Sequence, residues 1–186
     1  MNRLPAGLRI RRQVLMKESL KIRTISILIA GILPAAALMG QQVTIDISGS
    51  WSLTITSADL TAGAGSDFTS SYESNTDQIS VDIDKVVSGN FWDWFLSYNW
   101  RVDVNKQDVN WHSDMELYVR RTSGGFGFGS ISGGTSYQQI TSSDRTFFSG
   151  NGRRYWIPLQ LQLQGMSVEV PPGNYSTVVY YTVTEL

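Results

Sequence analysis

The sequence predicts an all-β fold beyond residue 40, an antiparallel sandwich of two layers, and two observations carry that prediction. Several runs alternate apolar and polar residues with a period of two, as strands with one buried and one wet face do. No segment of residues 41–186 sustains the 3.6-residue apolar stripe of an amphipathic helix.

The elements follow in chain order. Val43, Ile45 and Ile47 point one way while Thr44, Asp46 and Ser48 point the other, which predicts a first strand closed by Gly49 and Ser50. Trp51, Leu53 and Ile55 begin a second. Ile79, Val81 and Ile83 alternate with Ser80, Asp82 and Asp84. Leu96, Tyr98, Trp100, Val102 and Val104 make a longer run, and Met115, Leu117 and Val119 oppose Glu116, Tyr118 and Arg120. Ile157, Leu159, Leu161 and Leu163 oppose Pro158 and three glutamines. Proline has no N–H for a ladder, so this strand is expected to start at Pro158 or to lie at an edge there. In the closing run, Tyr175, Thr177, Val179, Tyr181 and Val183 share a face, and Val178 and Tyr180 make the opposite face apolar. That predicts a last strand buried on both sides, whose far edge still needs a hydrogen-bonding neighbour. Gly63–Ser66, Ser88–Asn90 and Pro171–Asn174 supply turn chemistry between strands. The stretch 123–152 holds eight of the seventeen glycines, including GGFGFGSISGG, and reads as short irregular strands with loops.

Residues 1–40 read differently. Seven basic residues stand against the single acid Glu18, followed by an apolar run from Ile25 to Met39 and small residues at Ala35-Ala36-Ala37. This is the pattern of a secretory signal peptide, with cleavage expected after Gly40. The run is short and interrupted for a membrane span, and Met16 is the more natural start of translation. The organisation expected is a cleaved leader over 1–40, an N-terminal extension over 41–50 and one sandwich domain over 51–186.

Export changes the electrostatics. The whole chain is formally −1, but without the leader 8 basic residues face 15 acidic ones, a formal charge of −7. An acidic exported domain is not built to grip nucleic acid or anionic lipid, and after cleavage no membrane contact is expected. With no cysteine anywhere, burial alone must hold the domain together.

The two ends of this mature chain resemble pilin subunits of the chaperone–usher type and the related spore-coat-U-like secreted domains. VTIDISGSW is similar to the N-terminal extension that serves such subunits as a donor strand. PPGNYSTVVYYTVT resembles their closing strand, WIPLQLQLQG the apolar strand before it, and LTITSADLTAGAGSDF their first domain strand. Those subunits commonly carry a cysteine in that first strand, and this chain has none. The resemblance implies an immunoglobulin-like sandwich that polymerises by donor-strand complementation into an extracellular filament or surface coat. It further implies self or related subunits as partners, a periplasmic chaperone, and a place in the periplasm or on the surface of a bacterium. Val43, Ile45 and Ile47 would be the plugs, at roughly 1.5–3 kcal/mol each, with Gly49 passing a narrow part of the groove. Val179, Tyr181 and Val183 would line the acceptor. The alternative is that residues 43–55 are an ordinary first strand or hairpin of a complete monomer.

Other chemistry finds less support. His112, Asp114 and Glu116 would share a strand face as a conceivable metal set, but they oppose the apolar face of that run and read as its solvated side. No nucleophile elbow surrounds a serine. Asp82 and Asp84 alternate toward solvent without specific glycosidase support, and the glycines of GGFGFGSISGG open no helix that could cradle phosphate. No catalytic residue, metal site or cofactor is expected, and the chain is read as non-enzymatic. Trp92 and Trp94 share strand parity and form a candidate glycan platform, the basis of a rival reading as a monomeric carbohydrate-binding or adhesive module. Core packing is the plainer role for them.

Overall fold

The computed structural model describes residues 43–85 and 98–186, together with the backbone of residues 16–20. The rest of the expected leader and the Trp92–Trp94 cluster lie outside the described residues. The strands are β1 (Met16–Leu20), β2 (Val43–Gly49), β3 (Trp51–Ile55), β4 (Ser71–Glu73), β5 (Ile79–Lys85) and β6 (Asn99–Asn110). They continue with β7 (Glu116–Arg121), β8 (Ile131–Gly133), β9 (Gln138–Gln139), β10 (Arg145–Asn151), β11 (Arg154–Gln164) and β12 (Ser176–Glu185). One turn of 3-10 helix, Ser57–Asp59, is capped by Thr56.

The period-two runs become strands because alternation lets each one bury a single face. One sheet has the order β2-β5-β11-β7-β9, with β4 continuing the β5 side of β11; the other has the order β12-β6-β10-β8. All pairings are antiparallel. The inward faces of both sheets meet in one buried cluster. Ile79, Val81, Ile83, Leu117, Val119, Ile157, Leu159 and Leu161 come from the first sheet, and Trp100, Val102, Val104, Phe148, Val179 and Tyr181 from the second. Trp100 meets the Phe148 ring edge-on at 6.0 Å, and its indole N–H donates to the carbonyl of Gly152 at 2.7 Å. A buried indole thus keeps a partner, as a desolvated donor must. β3 contributes Trp51 and Ile55 to this core, yet among the described residues its backbone pairs only with β1.

Three expectations need correction. Pro158 neither starts its strand nor lies at an edge, because β11 runs from Arg154 between β5 and β7. The Pro158 carbonyl accepts from the Thr122 N–H at 2.9 Å, one residue past the end of β7. A residue's N–H and C=O point to the same side of a strand, so the missing donor faces a place where the β7 ladder has already stopped. A bulge between Arg154 and Ile157 sits just ahead of it.

Second, among the described residues β12 lies at a sheet edge and has one buried face. Thr177, Val179 and Tyr181 are buried and Val183 is half-buried; Val178 and Tyr180 are half-buried on the other face. The Tyr180 hydroxyl reaches out to Gln107 Oε1 at 3.0 Å, so its polar tip explains why an aromatic tolerates that position. Third, His112 and Asp114 lie in the turn between β6 and β7, which the Met115 N–H closes onto the His112 carbonyl at 3.1 Å. Glu116 alone of the three is on a strand, where it accepts from the Tyr118 hydroxyl at 2.7 Å.

Candidate functional site

Two regions carry unspent binding capacity, an open strand edge and an exposed aromatic platform. The first is bordered by β12. Its inner ladder to β6 runs the length of the strand, from Ser176 opposite Asn110 to Glu185 opposite Trp100. Among the described residues no strand hydrogen-bonds to its outer edge. Ten residues with no proline and one charge, Glu185, offer few of the devices that usually protect such an edge.

Residues Val43, Ile45, Ile47 and Gly49 sit close by, but on the other sheet. β2 pairs with β5 of its own chain in unbroken register, Val43 opposite Lys85 through Gly49 opposite Ile79. Ile47 is buried, and Val43 and Ile45 are half-buried against the same core that holds Val179, Tyr181 and Val183. The residues read as plugs and those read as acceptor therefore share one cluster without sharing a ladder. Gly49, at φ +110°, lies so near the Gln78 carbonyl that a Cβ would collide with it, which accounts for the glycine. Lys85, almost fully buried, ties the two sheets together here through Glu185 at 3.6 Å and the Tyr98 ring at 4.6 Å. The backbone of β1 pairs with β3 and also approaches β12.

The aromatic platform comes from the glycine-rich stretch. Gly125, Gly127 and Gly129 face the β10–β11 hairpin so closely that a Cβ on any of them would strike the carbonyl of Tyr155, Arg153 or Asn151 in turn. Glycine at every second position lets one backbone lie flat on another. The residues between them, Phe126 and Phe128, are then forced outward and are 68% and 64% exposed. Reciprocal hydrogen bonds of 2.7 Å join Phe126 to Tyr155, and the Arg154 guanidinium donates to the Gly129 carbonyl.

Trp156 completes the platform. It is 66% exposed and stands at φ +53°, a left-handed conformation rare for a bulky residue. The bulge creates that geometry, and Asp82 holds it by accepting the Trp156 N–H at 2.6 Å. Its ring meets Phe126 edge-on at 6.0 Å. Beside it, buried Arg153 pairs with Asp84 at 2.8 Å, and the Tyr155 hydroxyl donates to the same carboxylate at 3.0 Å. Burial first, and then that bond to Asp84, raise the Tyr155 phenol above its ordinary pKa. Asp84 thus has a cationic partner; Asp82 is in no ion pair among the described residues, and it lies directly opposite Asp46.

Sequence reasoning read GGFGFG as part of short irregular strands with loops, set it aside as a phosphate loop, and missed the platform. The signal was present, since alternation of glycine and phenylalanine is itself a period-two pattern with the glycines as its inward face. The comparisons add no family: no protein-family model matches the chain, and no curated protein matches its sequence.

Proposed function

We propose that the chain is an exported structural subunit of an extracellular filament or surface coat, extended by adding a neighbour's strand beside β12. The observation that carries this reading is the topology around that edge. The order β2-β5-β11-β7 matches the ABED sheet of an immunoglobulin sandwich, and β12 beside β6 matches F beside C of its partner sheet. The Tyr175 hydroxyl bonds back to the Pro171 carbonyl at 2.6 Å, as the tyrosine at the start of strand F does in such folds. The outer edge of β12, where strand G lies beside F in such folds, carries no ladder among the described residues. Cleavage of a leader after Gly40 would also remove β1, leaving the edge of β3 without its partner.

In this reading a neighbour adds a strand at that edge by β-augmentation, and residues 43–49 are the donor. Donation competes with the β2–β5 ladder of the same chain, so the strand must exchange one set of backbone bonds for another, as swapped elements do. A second reading rests on that same ladder: a closed monomer acting as a carbohydrate-binding or adhesive module.

Sizing the mature protein under native conditions separates the two. Assembly predicts high-mass species that Ile45→Asp with Ile47→Asp abolishes, since unpaired charge is costly in a groove. Fusing a second copy of residues 41–51 after Leu186 through a Gly/Ser linker should yield a stable monomer. A wild-type protein that is monomeric, stable and unaffected by the fusion would establish the closed module instead.

A further inference from the structure

We infer that Phe126, Phe128 and Trp156 form a binding platform for neutral polysaccharide, separate from the strand edge through which subunits would join. The first ground is presentation. Three large aromatic side chains stand about two-thirds exposed on one segment and the bulge it lies against. Exposed apolar groups gathered in one place are a recurrent mark of interaction sites, and here the backbone holds them there at a conformational cost. Trp156 occupies a left-handed conformation usually left to glycine, a kind of strain that persists where surrounding structure over-determines it and that clusters at ligand sites.

The second ground is rigidity. The glycine face against Tyr155, Arg153 and Asn151 leaves no room for the segment to slide. The Asp82 carboxylate fixes the Trp156 backbone at 2.6 Å. Aromatic rings held in advance lose little entropy on binding.

The third ground is the rim, which selects the occupant. Asp46 and Asp82 face each other across the β2–β5 ladder, an arrangement of like charges that weakens a sheet. Neither carboxylate is in an ion pair among the described residues. Asp82 accepts the Trp156 N–H through Oδ1, and Asp46 accepts the Ile47 N–H through Oδ1 at 3.0 Å; neither Oδ2 takes a hydrogen bond from a described residue. Apolar ring faces beside unspent acceptors suit a ligand with flat C–H faces and many hydroxyl donors, which is what sugar rings present. Anionic polymers and anionic lipid are disfavoured by the same carboxylates. Three side chains offer a contact the size of a few sugar rings, well below the roughly 800 Å² per partner of a stable protein interface.

The test uses the mature protein on insoluble cellulose and chitin, and in gels containing soluble β-glucan. Retention on at least one of these is expected, with a loss of tenfold or more in Phe126→Ala/Trp156→Ala. Phe126→Tyr/Trp156→Phe keeps the ring faces and should keep most of the retention, which separates lost stacking from lost folding. Circular dichroism of each variant checks the fold. Absence of retention on all three polymers, or equal retention by the alanine pair, overturns the proposal. So does capture of a basic peptide in place of polysaccharide, or loss of high-mass species in the alanine pair, which would make the platform a protein contact.

Discussion

Tyr181 is the residue where polarity and burial conflict most. Its ring is almost fully buried in the core, and its hydroxyl has no hydrogen-bond partner among the described residues. Burial alone pushes its pKa well above the ordinary phenol value, and burial is also the leading reason that Tyr98 and Tyr137 are raised to about 12. The unfolded chain would ionise these phenols near pH 10. With folded values above unfolded ones, their contribution to stability is intact below about pH 10 and is lost as pH rises through 12 and beyond. Urea midpoints measured from pH 8 to 11.5 should therefore be flat at first and then fall steeply. Tyr181→Phe removes an unpaired buried hydroxyl, so it should leave stability at pH 8 within about 1 kcal/mol of the parent or raise it. It should also make the alkaline fall shallower. A loss of several kcal/mol at pH 8 would mean that the hydroxyl has a partner after all.

At the scale of elements, β11 and β12 show how the same alternation serves two roles. β11 has neighbours on both edges, and its exposed face is stitched by side chains. Gln160, buried, accepts two bonds from the Arg120 guanidinium at 3.0 and 2.8 Å and donates to the Ser74 carbonyl at 2.9 Å. Among the described residues β12 is paired on one edge, and Thr182 and Thr184 stand exposed on it. Natural sheets blunt such edges with lysine. Placing lysine at both threonines should leave the thermal midpoint of the monomer nearly unchanged, because exposed substitutions usually shift stability by no more than about 0.5 kcal/mol. It should reduce high-mass species sharply if strand addition occurs there. Assembly at full yield in this variant would direct attention away from β12.

For the whole molecule, the proposed cleavage after Gly40 decides which strands and charges remain. Cleavage after Gly40, as proposed, would change the net charge from −1 to −7 and take β1 away from β3. N-terminal sequencing of the exported protein should begin at Gln41, and recovery of residues 20–35 in it would favour an anchored form. β3 would still be held by Trp51 and Ile55 in the core. Side-chain burial rather than backbone pairing would then keep that segment in place, which is how a sandwich can leave a strand position open without coming apart.

Much of this fold was legible in the residues, for a physical reason. Period-two alternation is local, so Ile79–Ile83, Trp100–Val104, Leu117–Val119 and Ile157–Leu163 each announced a strand and its inward face before any neighbour was known. The absence of cysteine, the basic-then-apolar pattern of residues 1–40 and the acidity of the remainder were equally local facts. Pairing is not local. Whether Val43–Gly49 meets β5 of its own chain or a neighbour's edge depends on which ladder is free. Only the tertiary structure placed β2 against β5, set β12 at an edge and put Pro158 inside β11. The platform came from long-range contact as well. Glycine and phenylalanine alternate in the sequence, but the carbonyls of Asn151, Arg153 and Tyr155 decide that the glycines turn in and the rings turn out.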